Sequence, residues 1–205
     1  MTPKMRLHHS PNSPFVRKVR VAAIETGLID RLELFTDDPR QPDSPIVKFN
    51  PLRRIPALEL GNGEALFESV LICEYLDSLH DGPKLFPPIG PARWQALRLH
   101  ALGDGAMTYA VFRINETRRP EGERSPTMMA RWQRDVGATL DVLEGRAREL
   151  DGPITIGTVA VGCMLGYLDF RFAQEDWRRS HPALARWYEG WSKRPSMTST
   201  VPPGP

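Results

Sequence analysis

Hydrophobic and polar positions follow two rhythms along this chain. Residues 5–9 read as a short strand. Residues 15–26 read as a helix, with Val16, Val19 and Ala23 on one face and Gly27 as its stop. A second short strand is predicted over 32–35. Residues 57–60 and 65–67 flank Gly61-Asn62-Gly63, a hairpin signal. Residues 69–79 return to helical spacing, with Leu71, Ile72, Tyr75, Leu76 and Leu79 on one stripe. Beyond that only helices are predicted. They cover 92–118, 127–150 and 184–193, together with 156–172, which is apolar nearly all round, as in a helix buried at a domain centre.

Composition adds one feature to this picture: 20 of 205 residues are proline, against a usual ~5%. Prolines break helices and central strands. They concentrate in Asp81-Gly82-Pro83-Lys84-Leu85-Phe86-Pro87-Pro88-Ile89-Gly90-Pro91, a linker pattern. Before it the order is β-α-β, a proline-rich stretch, then β-β-α, the order of a thioredoxin-like domain. The expected architecture is therefore an α/β N-terminal thioredoxin-like domain over 1–80, a linker over 81–91 and an all-α C-terminal helical domain over 92–205. The tail from 196, with three prolines, is expected to be loosely held.

Charge and cysteine content exclude several classes. The net charge is +2 at pH 7, so nucleic-acid binding through bulk charge is not expected. Cys73 and Cys163 lie in apolar stretches and make no disulfide framework. No metal site is expected. His8 and His9 are adjacent in a strand and point to opposite faces. No membrane span or signal core is recognised, and the expected location is cytoplasmic.

The chemistry concentrates in three segments. The first is Ser10-Pro11-Asn12-Ser13-Pro14-Phe15. Ser13 suits an N-cap and Pro14 the first helical turn. Redox proteins of this architecture carry Cys-x-x-Cys here, and two serines cannot form a disulfide. A serine hydroxyl at a helix N-terminus can instead hold a ligand thiolate. Lowering a thiol pKa by about two pH units takes ~2.7 kcal/mol. A helix N-terminus supplies about 0.3–1 kcal/mol, at most ~2, and a hydrogen bond to a charged group about 1.5–3. The two together suffice. The plainer alternative is that Ser13 only caps its helix. In the second segment, Asn50 to Leu58, Pro56 opens a strand at the domain edge. A cis bond there frees the Ile55 backbone for an extended ligand; the alternative is an ordinary turn. In the third, Glu68-Ser69 begins a helix where a carboxylate and an ammonium can be held; the alternative is simple capping.

Taken together, Ser-x-x-Ser-Pro-Phe-x-Arg-Lys, Asn-Pro-x-x-x-Ile-Pro-x-Leu and Glu-Ser-x-x-Ile-x-x-Tyr-Leu resemble the glutathione-site motifs of the cytosolic glutathione transferase superfamily. The resemblance covers essentially the whole chain. It is nearest bacterial serine-type members, with an omega/zeta-like first helix. It implies that Ser13 holds the glutathione thiolate, with Ser10 as the rival. It implies that the Ile55 backbone beside Pro56 pairs with the cysteinyl part, that Glu68 and Ser69 hold the γ-glutamyl group, and that Arg54 helps at the glycine end. Asp104, between Gly103 and Gly105, is a candidate to reach a partner's glutathione, the glycines suggesting close packing as at a dimer contact. Thr155-Ile156-Gly157-Thr158 matches the cap of the family's buried helix. Pro11, Met107, Tyr109, Phe112 and Met164 are candidates for the second-substrate pocket, with plain core packing as the alternative.

The resemblance implies a homodimeric glutathione S-transferase of detoxification type, with glutathione as co-substrate and a small-molecule electrophile as the other. A non-catalytic binding or regulatory protein on the same fold is a second hypothesis. A glutathione-dependent isomerase, dehalogenase or peroxidase is a third. Thiol transfer of the omega kind is disfavoured, because no cysteine lies near Ser13.

Overall fold

The computed structural model describes residues 4–204 and divides into two compact units. The first comprises residues up to Arg93 together with Pro195–Gly204, and the second is Trp94–Arg194. The first unit is built on a four-stranded sheet of order β2-β1-β3-β4, with β1 Met5–His9, β2 Leu32–Thr36, β3 Ala57–Glu59 and β4 Ala65–Phe67. β1 runs parallel to β2, as strands joined by a crossover helix can. It pairs antiparallel with β3, His8 facing Ala57. β3 in turn pairs antiparallel with β4, Ala57 facing Phe67. Helices α1 (Pro14–Glu25) and α2 (Ser69–Ser78) pack on one another. Leu7, Val19, Ala22, Leu58, Ile72 and Leu76 form their fully buried core. Helix α1 ends as expected. Gly27 takes a left-handed φ of 70°, and Leu28 N–H closes back on the Ala23 carbonyl at 2.7 Å.

The segment 81–91 is tied down by its own unit. The Asp77 carboxylate, at the end of α2, accepts from the Leu85 and Phe86 amides at 2.8 and 3.0 Å and from His80 at 3.1 Å. The tail also departs from expectation. Pro195–Thr198 forms a short helix, α7, packed on α1. The Arg17 guanidinium donates to the Met197 carbonyl at 3.0 Å and to the Thr200 hydroxyl at 3.3 Å. Ser196 donates to Glu25. Met197 and Thr200 are each 1% exposed. Assigning residues 195–204 to the helical half is therefore corrected: buried side chains and guanidinium–carbonyl bonds hold them to the first unit.

The second unit consists of helices. Most of α3 (Gly90–Thr117) lies in it, with α4 (Pro126–Glu144), α5 (Ile156–Phe172) and α6 (Pro182–Trp191). Helix α4 stops at Gly145, short of the predicted 150, and a separate 3-10 turn covers Ala147–Leu150. The adjacent Glu144 carboxylate caps α6 by accepting from the Ala183 and Leu184 amides, both at 2.9 Å. Helix α5 is buried along nearly its whole length. Among the described residues one stretch, Ile156–Glu175, is long and apolar enough to cross a membrane, but most of it is buried inside the protein, as for a core helix. Close backbone approach explains two glycines. A Cβ on Gly103 would stand 2.8 Å from the Ala160 carbonyl carbon, and one on Gly157 would stand 2.6 Å from the Ala96 carbonyl oxygen. The tight packing at Gly103 is thus between α3 and α5 of one chain. Gly105 meets nothing within 4 Å.

Candidate functional site

Sheet register gathers the three sequence segments. β1 ends at His9 and leads into Ser10–Ser13. β3 begins at Ala57, opposite His8, so Ile55 and Pro56 enter at the same end of the sheet. β4 ends at Phe67, opposite Ala57, and leads into Glu68 and Ser69 there as well. Adjacent strands lie ~4.8 Å apart. The three segments therefore emerge side by side over roughly 10 Å, the length of a tripeptide in an extended conformation.

Each segment presents hydrogen-bonding groups. Ser13 is the N-cap of α1 with extended backbone, and its hydroxyl oxygen accepts the Val16 amide at 3.3 Å. The hydroxyl proton has no acceptor among the described residues, so it can be donated outward. Pro14 occupies the first turn, and no acidic residue there offsets the positive helix end. The Ser10 carbonyl accepts the Ser13 amide at 3.1 Å, so Ser10 shapes the turn rather than heading the helix. The Ile55–Pro56 peptide is cis. Neither the amide nor the carbonyl of Ile55 has a partner among the described residues. Fully buried Asn50 shapes this loop, donating to the Arg54 carbonyl at 2.8 Å and accepting the Leu52 amide at 3.0 Å. The Arg54 side chain is exposed.

Glu68 is exposed and holds φ at 69°. This left-handed conformation is uncommon for a residue with a Cβ. It begins α2 without any side-chain cap. The first amides of α2 are left for solvent or a ligand, beside buried Ser69.

The remaining predicted residues are distributed less uniformly. Pro11 is exposed in the first unit. In the second unit, Asp104 is half-buried with its carboxylate 3.6 Å from His100. Tyr109 is half-buried, and Phe112 is exposed and tilted against Trp132. Met107 and Met164 have no accessible surface. They are core residues, and without movement neither can line a pocket.

Several polar residues near the site carry no local sequence signal. His8 bridges Asp37 and Glu59. His9, on the other face of β1, meets the Thr36 hydroxyl at 3.3 Å, and its Nδ1 is buried without a partner. Burial, and then the nearby Arg20 guanidinium, push the His9 imidazole below its usual value. Their partners lie 27 to 51 residues away.

Comparison with known proteins agrees with this architecture. Residues 12–79 match the family model of the glutathione S-transferase N-terminal domain, and residues 126–190 match that of the C-terminal domain. The chain is 31% identical over 204 residues to the uncharacterized GST-like protein YibF of Escherichia coli K12, covering 97% of this chain and 99% of that one. A crystal structure of a glutathione transferase family member from Pseudomonas fluorescens Pf-5 with bound glutathione is 40% identical. It covers 98% of this chain and all of that one, with a TM-score of 0.93. A second structure, of a glutathione transferase family member from the same source with bound S-(propanoic acid)-glutathione, has equal identity and coverage and a TM-score of 0.89. From its first helix cap to its buried core helix, this chain belongs to the glutathione S-transferase superfamily.

Proposed function

We propose that the protein is a glutathione transferase that binds glutathione across the strand ends of its first unit and directs the thiolate onto a small electrophile. The observation that carries this is the half-used hydroxyl of Ser13. It caps α1 through its oxygen and keeps a proton for an incoming sulfur. The helix end adds its own positive potential. Ile55 offers its unpaired amide and carbonyl to the cysteinyl portion. Ser69, the first α2 amides and Glu68 take the γ-glutamyl carboxylate and ammonium, and Arg54 takes the glycine carboxylate. Pro11 is the candidate in the first unit for contact with the second substrate, and Asp104 is a candidate for a role at the partner's site in a homodimer. The relative crystallised with S-(propanoic acid)-glutathione supports this reading, since a glutathione thioether is the kind of product that thiolate attack makes. Catalysis rests on positioning and thiolate stabilisation, without a protein nucleophile.

Calorimetric titration with glutathione and turnover with an aryl halide test the proposal. Binding and turnover are expected from the unmodified protein, with turnover greatly reduced in Ser13→Ala while binding persists. Full turnover in a folded, glutathione-binding Ser13→Ala variant assigns the thiolate to another group, Ser10 first.

A further inference from the structure

We propose that His8 is a positioning residue that holds the glutathione-facing loop by gripping both ends of segment 37–59, and that it does so only with both ring nitrogens protonated. This role rests on the glutathione reading above.

His8 is 1% exposed. Its Nδ1 lies 3.0 Å from Asp37 Oδ2 and its Nε2 lies 2.7 Å from Glu59 Oε1. An ionised carboxylate only accepts hydrogen bonds, and a neutral imidazole has one donor and one acceptor. Two carboxylate partners therefore call for two ring protons. The rings of Phe35 and Phe49, with centroids 5.2 and 4.8 Å away, pack against the imidazole. Asp37 and Glu59 bracket the stretch of chain that carries Arg54, Ile55 and Pro56.

Hydrogen bonds continue from the clamp into that stretch. The second oxygen of Asp37 accepts the Ser44 hydroxyl at 2.6 Å, and the Asp37 amide donates to the His9 carbonyl at 2.9 Å. The Arg53 guanidinium donates to the Gln41 and Pro42 carbonyls at 2.9 and 3.1 Å. Asn50 then holds the Arg54 carbonyl. The charged groups around the clamp come from each neighbouring strand. They are Asp37, which follows β2, Glu59 on β3, Arg6 on β1 at 3.7 Å from Glu59, and Glu33 on β2 at 3.8 Å from Arg6. His8 lies buried among them. A ring with one proton leaves a nitrogen lone pair facing a carboxylate oxygen, and one end of the segment is released.

The test titrates S-methylglutathione, which has no thiol to ionise, into the full-length protein by calorimetry across a pH series. Ring protonation of His8 is followed by NMR in the same samples. The affinity is expected to fall as the ring loses its second proton. His8→Gln, whose single amide cannot donate to both carboxylates, is expected to bind about tenfold more weakly or worse, as for loss of a hydrogen bond to a charged group, with no such pH dependence. Glu59→Gln supplies an amide donor to an unprotonated Nε2. It is expected to keep its affinity within about twofold and to lose the pH dependence. A folded His8→Gln variant with unchanged affinity overturns the role. So does an affinity that stays level while the ring loses its second proton. If His8→Gln does not fold, the comparison of Glu59→Gln with the unmodified protein decides. No binding by the unmodified protein at any pH overturns the glutathione reading itself, a result distinct from a failure confined to the variants.

Discussion

The N-termini of α1 and α5 both carry hydroxyl caps, and they use them differently. At α5 the cap closes on itself. Thr155 accepts the Thr158 amide at 3.4 Å, and the Thr158 hydroxyl accepts the Thr155 amide at 2.9 Å while facing the Thr155 carbonyl at the same distance. Thr158 is buried, and its hydroxyl both accepts and donates inside the cap. At α1 the Ser13 oxygen satisfies one amide, and its proton has no acceptor among the described residues. At α2, Glu68 provides no side-chain cap at all. A cap whose two hydroxyl residues reciprocate within the helix end acts on stability. One that leaves a donor at a positively polarised helix end can act on a ligand.

The largest expected effect breaks the comparison if it fails. Ser13→Ala should lower turnover by about 100-fold, ~2.7 kcal/mol of transition-state stabilisation. Its loss of folding stability should be only about 1 kcal/mol. Steady-state kinetics beside urea unfolding separates the two. Thr155→Ala should do the reverse, costing about 1 kcal/mol of stability and leaving kcat/KM unchanged. Equal losses of turnover in the two variants would erase the distinction between caps. Ser69→Ala sharpens it at the uncapped helix, where KM for glutathione should rise about fivefold at constant kcat.

The smallest effect concerns the strand leading into α1. His9 is held below its usual value by burial and Arg20. The unfolded chain therefore takes up the proton first as pH falls, and the folded state loses stability. Above about pH 6.5 both states are neutral and nothing is lost. Below it, stability should decline by at most ~1.4 kcal/mol per pH unit until the folded ring titrates too. Thermal unfolding of His9→Asn should be flatter across that window.

Features with local causes were legible in the sequence. Ser13-Pro14 starts a helix because a hydroxyl cap and a fixed φ act within one turn. Gly61-Asn62-Gly63 turns a hairpin, with Gly63 at φ 86°. The Thr155–Thr158 cap was legible through the resemblance, and the structure shows it as a reciprocal box. The motif segments of the candidate site are of this kind, and sheet register brings them to one end. Elsewhere, the reach of the sequence was shorter. Met107 and Met164 became pocket candidates through the resemblance, and their burial is the plain core packing that was the alternative, because periodicity says which face is apolar and not what covers it. The tail looked loose because its prolines say nothing of Arg17 and Arg20, about 180 residues earlier, which donate to its carbonyls.

By itself the sequence determined the order of the strands and of the helices up to α6, most of the helix starts, and the residue types at three candidate-site segments. Each depends on backbone preferences and side chains within a few positions of one another. Only the tertiary structure decided the close α3–α5 crossing at Gly103 and Gly157, the tail packed on α1, the Asp77 brace under residues 81–91 and the His8 clamp. Apart from the brace, these join groups tens of residues apart, and each depends on burial and hydrogen-bond geometry that exist only once the sheet and helices have packed.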